Sequence, residues 1–333
     1  MTDVFEELYL TLTSGSGATL ITSLSDSGIE RRLTKGDPGT LVGPALTREG
    51  WGLTLSEPFC PRPRLIVFGG GHVTMALAPM AAMMDFELII YDDRPSFSSP
   101  ARFPMADRAI CDSFESIGAN LAFTERDYVV IVTRGHRHDE DCLKTVLDGP
   151  EPFYTGMVGS RRRVAIVKKR LAAEGRDPGR LERLDSPIGL AIGAITPAEL
   201  AISILGGIVQ KRRENQRRPG HVVLEAFADM DLLRFLSGPR PEDLALVTVV
   251  TSSGSTPRRA GAKMAVHFDG RIVGSIGGGC SEAAVITKAR AIASSGGYEL
   301  AAVDLTDSAE EDGMVCGGSM EVLIERLPAS TAP

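Results

Sequence analysis

The chain has 333 residues, of which 43% are hydrophobic and 24% are charged, and its formal net charge at pH 7 is −7. This balance is typical of a globular protein rather than a disordered or fibrous one, and the length suffices for two compact domains. The acidic charge argues against a nucleic-acid partner, because nucleic-acid phosphates favour a basic surface.

The sequence shows no export signal and no membrane segment. The first ten residues already contain three acids instead of a basic and then apolar stretch. No apolar run approaches the roughly 18 residues that cross a bilayer. Five cysteines are too few, and odd in number, for a disulfide framework. We therefore expect a reduced, cytoplasmic protein without a membrane span.

The first 62 residues predict a β-rich segment of short strands and turns. Ala18–Leu24 and Gly52–Leu55 have strand-like patterns, and Lys35–Gly39 (KGDPG) predicts a turn. Weak echoes link Ala18–Ser23 with Ala245–Val250, and Gly52–Pro58 with Met320–Leu327. These echoes indicate either an internal repeat or a chance match between short β-rich strings.

Residues 63–215 alternate between strand and helix patterns, which predicts a Rossmann-like parallel sheet with helices on both faces. The predicted strands are Arg64–Phe68, Phe86–Tyr91, Tyr128–Thr133 and Met157–Ser160, and the predicted helices are Ser160–Glu174 and Thr196–Arg213. The run RLIVF at Arg64–Phe68 is typical of a central strand that is buried on both sides.

Residues 216–327 predict a smaller α+β domain after a charged linker at Lys211–Gly220. The predicted helices are Val222–Leu236 and Ser281–Ser295, and the predicted strands are Leu244–Thr251, Ala262–His267, Arg271–Ser275 and Glu321–Glu325. We interpret residues 328–333 as a loose tail.

The turn Gly69–His72 follows a predicted strand and begins a helix, which is the context of a dinucleotide-binding glycine motif. Gly69 permits a tight turn, and Gly71 lets the backbone approach a phosphate at the helix N-terminus. Asp92 or Asp93, about 20 residues further on, can accept hydrogen bonds from ribose hydroxyls. The usual third glycine is Thr74. The alternative is a glycine-rich turn that binds nothing.

Two further segments of this region directly follow predicted strands and contain candidate ligand-binding residues. His136 and His138 lie among acids in VTRGHRHDEDCL and are candidate metal ligands, and a solvated loop is the alternative. Ser160 and Arg161 begin a basic helix that either receives an anionic group or exposes its arginines to water.

The C-terminal region contains two cysteines among glycines. Gly277, Gly278 and Gly279 precede Cys280 at a predicted helix start, where consecutive backbone N–H groups form an anion cradle and the helix dipole lowers a thiol pKa. Cys316 precedes Gly317-Gly318. Both cysteines serve a ligand, or else they fill tight turns.

Taken together, these strings resemble the xanthine dehydrogenase accessory protein family, XdhC/CoxI. The strings that carry the resemblance are Phe68–Val73, Tyr91–Pro95, Gly159–Arg163, Pro187–Ala201, Val249–Met264, Gly274–Glu282 and Val315–Val322. In family members the CoxI-type segment usually precedes the Rossmann segment, whereas here it follows.

The resemblance implies a factor that binds molybdenum cofactor, holds it for sulfuration and delivers it to a molybdenum hydroxylase apoenzyme. Under this interpretation Arg258, Arg259 or Lys263 holds the phosphate of a mono- or dinucleotide pterin. Cys280, with Cys316 nearby, ligates molybdenum or relays sulfur. A cysteine desulfurase is a further candidate partner, and we expect a homodimer.

The glycine turn and Asp92-Asp93 alone indicate a second candidate function, an NAD(P)-dependent oxidoreductase. Hydride transfer does not require the cysteine–glycine strings, which favours an accessory, chaperone-like protein over a turnover enzyme. A nucleotide-sensing regulator is a third interpretation.

Overall fold

A computed structural model describes residues 3–25, 28–36, 43–49, 52–216, 229–254, 256, 258–277, 280–304 and 318–330. The chain forms two compact units, one of residues 62–221 and one that combines residues 1–61 with residues 222–333. Residues 1–61 and 222–327, which the sequence assigns to two separate segments, thus belong to one compact unit.

The described residues form these strands, in chain order: β1 (Ala18–Ser25), β2 (Gly28–Lys35), β3 (Ala45–Glu49), β4 (Gly52–Phe59), β5 (Arg64–Phe68), β6 (Glu87–Asp92), β7 (Arg108–Cys111), β8 (Tyr128–Ile131), β9 (Tyr154–Met157), β10 (Leu244–Gly254), β11 (Lys263–His267), β12 (Ile272–Gly274), β13 (Tyr298–Asp304) and β14 (Gly318–Leu327). Their α-helices are α1 (Val4–Thr13), α2 (His72–Met83), α3 (Ile117–Asn120), α4 (His136–Asp148), α5 (Arg161–Ala173), α6 (Pro178–Arg183), α7 (Pro197–Gln216), α8 (Met230–Ser237) and α9 (Cys280–Ser295). None of these helices is both long and apolar enough to cross a membrane.

The unit of residues 62–221 is a Rossmann domain, as predicted. Its five parallel strands have the order β7-β6-β5-β8-β9. Leu65 and Val67 of β5 pack into one hydrophobic cluster and Ile66 and Phe68 into another, so helices cover both faces of the sheet. Strand order reverses between β5 and β8, and ligands of open α/β sheets bind beyond the carboxyl ends of the strands at such a point.

Several elements of the Rossmann domain differ from their predictions. The alternative of a solvated loop after β8 is wrong from His136 onward, because α4 buries Cys142, Leu143 and Val146 at helical spacing beneath a strongly charged outer face. Strand β9 ends at Met157, where a strand was predicted to begin. Helix α7 continues to Gln216, so the first part of the predicted linker is helical, and residues 217–220 lie outside the described residues.

The other unit contains two antiparallel sheets, with the orders β2-β1-β4-β3 and β12-β11-β10-β14-β13. Helix α9 packs on one face of the five-stranded sheet through Val285, Ala289 and Ile292. Helices α1 and α8 share one hydrophobic cluster with residues of both sheets. The sequence interpretation missed α1, whose Asp3 side chain accepts a hydrogen bond from the Phe5 N–H at 2.8 Å and so caps the helix.

Candidate functional site

The glycine turn after β5 has the tight geometry that its sequence predicts. Gly69 has φ +109°, and a Cβ atom there would collide with the Val132 carbonyl group of the loop after β8. Gly71 caps α2, and no side chain caps the first turn of this helix. Apart from its chain neighbours, no described residue has an atom within 4 Å of the position that a Cβ on Gly71 would take. Together with the exposed His72, Gly71 leaves an open helix N-terminus that favours an anionic group.

Thr74 replaces the third glycine of the motif without loosening the packing of α2. The residue is fully buried, and its hydroxyl donates a hydrogen bond to the Gly69 carbonyl oxygen. The side chain therefore fills the space between helix and strand and ties the helix to the turn.

Asp92 stabilises the glycine turn instead of offering its carboxylate to a ribose. The residue is 1% exposed, and it accepts hydrogen bonds from the Gly70 N–H at 2.8 Å and from the Arg94 guanidinium at 2.8 and 2.9 Å. These contacts engage both carboxylate oxygens, so the expected ribose contact of Asp92 finds no support in the structure.

Asp93 forms an ion pair with Arg134, a residue that the sequence interpretation did not select. The Arg134 guanidinium donates to both carboxylate oxygens, at 2.8 Å for the Nη2–Oδ2 pair. Hydrogen bonding from Arg134 lowers the pKa of Asp93 below its ordinary value. Strands β6 and β8 flank β5, so the pair joins the loops on either side of the glycine turn. The position of Arg134 just after a buried strand was the signal that could have identified it.

The loop after β8 leads into a second helix whose N-terminus has no side-chain cap. Gly135 caps α4, again without a side-chain hydrogen bond. Asp139 in the first turn is 1% exposed, accepts from the Thr133 hydroxyl at 2.6 Å and pairs with Arg163 at 2.9 Å. Asp139 therefore fixes this loop and connects α4 to α5.

The described residues contain no group of three histidine, cysteine or acidic side chains that could hold a metal ion. The His138 ring packs against Phe114 with 5.0 Å between ring centroids, and the His136 side chain lies outside the described residues. Both histidines belong to one helix, and residues two apart on a helix point to different sides. This arrangement does not favour the predicted chelate.

Helix α5 begins where the sequence predicts. The Ser160 hydroxyl accepts a hydrogen bond from the Arg163 N–H at 3.4 Å and so caps the helix, while Arg161 and Arg162 are exposed. Because α5 follows β9, these arginines lie at the same edge of the sheet as the glycine turn. They remain available to an anionic ligand, whereas Arg163 is paired with Asp139.

The glycine-rich turn before α9 is held by its own chain. Gly274 has φ +80°, and a Cβ atom there would lie 2.7 Å from the Lys263 carbonyl oxygen. The Glu282 carboxylate accepts from the Ser275 hydroxyl at 3.0 Å and from the Ile276 N–H at 3.1 Å, and the Gly277 N–H donates to Ser275 Oγ at 3.1 Å. The Gly277 N–H of the predicted anion cradle is therefore already bound within the turn.

The cysteine prediction remains open. Helix α9 begins at Cys280, as predicted, but the Cys280 side chain lies outside the described residues, as do Gly278, Gly279 and Cys316. Arg258 and Arg259 are exposed. Lys263, by contrast, is 7% exposed, and its ammonium group contacts Glu57 Oε1 at 2.6 Å and Thr248 Oγ1 at 2.7 Å. Because this charge is neutralised in the interior, Lys263 does not support the phosphate-binding role expected of it.

A separate cavity of about 770 Å³ lies near the amino end of β9, at the opposite edge of the sheet from the glycine turn. Tyr154 donates a hydrogen bond there to Asp185, and the Gly189 N–H donates to the same carboxylate at 3.1 Å. Burial and the Asp185 charge raise the pKa of Tyr154. No sequence pattern indicated this cavity, because distant segments line it.

Comparison with known proteins identifies relatives of both units. Residues 65–208 match the XdhC Rossmann domain, and residues 239–304 match the XdhC and CoxI family. A Bacillus subtilis (strain 168) protein, described as a probable subunit of xanthine dehydrogenase, is 35% identical over 153 residues, which are 46% of this chain and 44% of that protein. The uncharacterised protein YqeB of Escherichia coli (strain K12) is 31% identical over 165 residues, 49% of this chain and 29% of that protein.

The matched regions span less than half the length of these two relatives. A crystal structure of a protein described as a xanthine dehydrogenase, from Bacillus halodurans, aligns with a TM-score of 0.51 and 26% identity over 64% of this chain and 65% of that chain. The XdhC Rossmann match precedes the XdhC and CoxI match along the chain, which is the order that the sequence motifs indicated. The chain therefore belongs to the XdhC and CoxI family, with its CoxI-type segment C-terminal to its Rossmann domain.

Proposed function

We propose that this protein is an accessory factor for a molybdenum hydroxylase of the xanthine dehydrogenase type, and that it binds molybdenum cofactor and delivers it to the apoenzyme in the cytoplasm. The observation that carries the proposal is that Asp92, the last residue of β6, and Asp93 both have their carboxylates bound by neighbouring groups. Asp92 is bound to Gly70 and Arg94, and Asp93 is bound to Arg134. An NAD-dependent dehydrogenase needs an acid here for the ribose of NAD, whereas a pterin carrier has no such requirement.

The residues at the carboxyl edge of the Rossmann sheet fit the phosphate end of this cofactor. The position above Gly71 is open, and neither α2 nor α4 has a side-chain cap. Arg161 is exposed at the start of α5, at the same edge. Open helix N-termini and arginine guanidinium groups are the two donor types that hold phosphates.

When bound, the cofactor supplies the redox-active molybdenum that the client hydroxylase requires. Within this proposal the chain itself binds, orients and shields the pterin. Cys280, at the first position of α9, is the candidate sulfur ligand, because soft thiolates suit such metals and a helix N-terminus stabilises a thiolate. The proposed partners are the hydroxylase apoenzyme and a cysteine desulfurase, and a homodimer is the proposed assembly.

The test is purification of the full chain from cells that make molybdenum cofactor and from cells that cannot. Molybdenum is measured by elemental analysis, and bound pterin is extracted and identified. We expect both in the first preparation and neither in the second. A preparation from cofactor-competent cells that carries no pterin, and that neither binds added cofactor nor activates a client apoenzyme, would contradict the proposal.

An NAD(P)-dependent oxidoreductase is the second candidate, and the strand order β7-β6-β5-β8-β9 with its glycine turn favours it. Asp93 is partly exposed, so opening of its pair with Arg134 would free a carboxylate for a ribose. Tight NAD(P)H binding together with turnover of a small substrate, in the absence of pterin, would favour this candidate over the first.

A further inference from the structure

The two sheets of the unit formed by residues 1–61 and 222–333 have the same connectivity. Helix α1 leads into β1, which pairs with β2 and β4, and β3 pairs with β4. Helix α8 leads into β10, which pairs with β11 and β14, and β13 pairs with β14. All of these pairings are antiparallel. We call residues 4–59 the first half of this unit and residues 230–327 the second, CoxI-type half. The orders β2-β1-β4-β3 and β11-β10-β14-β13 are therefore equivalent, and β12 and α9 are additions in the second half.

The strand registers coincide residue by residue. Thr22 of β1 lies opposite Arg31 and Leu55, and Thr248 of β10 lies opposite Lys263 and Leu323. The residues that correspond in the two halves are thus Thr22 with Thr248, Arg31 with Lys263, and Leu55 with Leu323.

The neighbouring inward position repeats the match. Leu20 lies opposite Glu57, and Leu246 lies opposite Glu325. A register shift of one residue would turn every side chain to the other face of its sheet, so agreement at successive inward positions fixes the correspondence.

The corresponding side chains are buried between the two halves. Leu20 and Leu246 belong to one hydrophobic cluster, which also contains residues of α1 and α8. Leu24, Leu55 and Leu323 belong to a second cluster that includes residues of both sheets. Each half therefore contributes the same elements to each cluster.

Two buried ion pairs cross between the halves in opposite directions. Arg31 of the first half pairs with Glu325 of the second at 2.6 Å. Lys263 of the second half pairs with Glu57 of the first, also at 2.6 Å. Exchange of the two halves converts one pair into the other, which is the relation that a twofold axis imposes on the interface of a homodimer.

The outer faces of the two sheets explain why the halves differ. Ala245, Val247 and Val249 are fully buried, in the cluster that α9 shares with its sheet. In the first half only residues 36–44 join β2 to β3, too few for a helix such as α9 with its 16 residues. The uncovered face there carries exposed polar residues, among them Ser23, Glu30 and Arg32. The first half is adapted to the absence of the helix.

We propose that residues 4–59 are a second, shortened copy of the fold of residues 230–327. We propose further that the face of residues 230–327 on which this copy packs can also pair with the same face of another CoxI-type half, and that the copy occupies this face within its own chain. A second CoxI-type half in the same place would set its Lys263 opposite Glu325 and its Glu325 opposite Lys263, so the face is complementary to itself. The shortened copy lacks α9 and the glycine–cysteine turn before it. Each chain therefore has two halves of this fold but a single glycine–cysteine turn.

The test inverts the charges of the shortened copy in the full chain. Arg31→Glu with Glu57→Lys places like charges opposite Glu325 and Lys263, so we expect the copy to leave its position and the exposed face to pair with that of a second chain. Size-exclusion chromatography with light scattering should show twice the particle mass of the wild type. Inversion of the exposed Lys288–Glu299 pair is the matched control and should leave the particle mass unchanged.

A fourfold variant keeps the proposal falsifiable if the double variant precipitates. Adding Lys263→Glu and Glu325→Lys restores opposite charges within one chain, and pairing in cis is favoured because the two faces are tethered. We expect the wild-type particle mass and a recovered midpoint of thermal unfolding. A folded double variant with wild-type mass, or a fourfold variant without recovery, overturns the proposal. Neither outcome depends on the cofactor, so the result is independent of the proposed function.

Discussion

Arg134 and Asp93 form an ion pair that joins the loop after β8 to the loop after β6, on either side of the glycine turn. The N-terminal end of α2 is open beside this pair, since a Cβ on Gly71 would contact no residue beyond its chain neighbours. A ligand phosphate at this edge would compete with Asp93 for the Arg134 guanidinium. Under the proposed function we therefore expect Asp93 to compete with an anionic ligand for Arg134.

Arg134→Gln should weaken pyrophosphate and nucleotide binding by about tenfold or more, because charged hydrogen bonds contribute about 1.5–3 kcal/mol each. Asp93→Asn should strengthen pyrophosphate binding, because it removes the competing carboxylate. Isothermal titration of the full chain measures both effects. Arg126→Gln, in the loop before β8 at the far edge of the sheet, is the control and should bind as the wild type does. Equal affinities in all four proteins would refute this competition.

The pH dependence of stability provides a second test of the same pair. Arg134 lowers the pKa of Asp93 in the folded protein, so the pair stabilises the fold above the unfolded-state pKa of about 3.9. This contribution is lost as the pH falls through the lower folded-state pKa. We expect the wild type to be more stable than Asp93→Asn at pH 6, and the difference to shrink as the pH falls below about 4. Urea unfolding of both proteins from pH 7 to pH 3 gives the comparison, and a difference that is constant over this range would exclude the effect.

Thr74→Val should lower the free energy of unfolding by about 1–2 kcal/mol, because it removes the hydroxyl that donates to the buried Gly69 carbonyl and keeps the side-chain shape. Thr287→Val is the matched control, since the exposed Thr287 hydroxyl donates to the Ala283 carbonyl on a helix surface at 3.0 Å. The control should change stability by less than about 0.5 kcal/mol. Denaturant unfolding measures both, and equal losses would show that the Thr74 hydrogen bond has no special role.

Asp139→Asn should lower the free energy of unfolding by about 3 kcal/mol, because it leaves the partly buried Arg163 guanidinium without its charged partner. Glu151→Gln breaks the exposed pair with Arg183 and should cost between about 0 and 1 kcal/mol. The contrast in denaturant midpoints tests whether Asp139 anchors the loop after β8. A small effect at Asp139 would mean that its ion pair with Arg163 does not anchor the loop.

The glycine turn was predictable because its signals are consecutive in the chain: a buried strand, three glycines and a helix. The roles of Asp92 and Lys263 were not predictable from the sequence, because each role depends on partners that only the tertiary structure brings close. Asp92 meets the Gly70 amide and Arg94, and Lys263 meets Glu57 from a strand about 200 residues away in sequence. A pattern shows that a charge is present, and only the fold shows whether it is already neutralised.

The internal echo illustrates the same limit. The matching letters align Ala18 with Ala245, but the inward-facing partner of Ala18 is Leu244, because Leu20 corresponds to Leu246 and Thr22 to Thr248. An error of one residue exchanges the faces of a strand, and this echo makes that error. The echo of Gly52–Pro58 with Met320–Leu327 has the correct register, because Leu55 corresponds to Leu323 and Gly52 therefore to Met320. Two short β-rich strings alone do not show which alignment is correct. The register of the ladders resolves it directly.

Cys280→Ala should abolish retention of molybdenum cofactor and activation of the client, because Cys280 is the candidate sulfur ligand and begins α9. Cys111→Ala is the matched control, since Cys111 is an exposed free cysteine on the edge strand β7, and this variant should retain cofactor. The measurements are molybdenum content, extracted pterin and activity of the reconstituted hydroxylase. Unchanged retention and unchanged client activity in Cys280→Ala would exclude the cysteine from the site. Phosphate contacts at the Rossmann edge would then carry cofactor binding without it, and Arg134→Gln would become the variant that loses the cofactor.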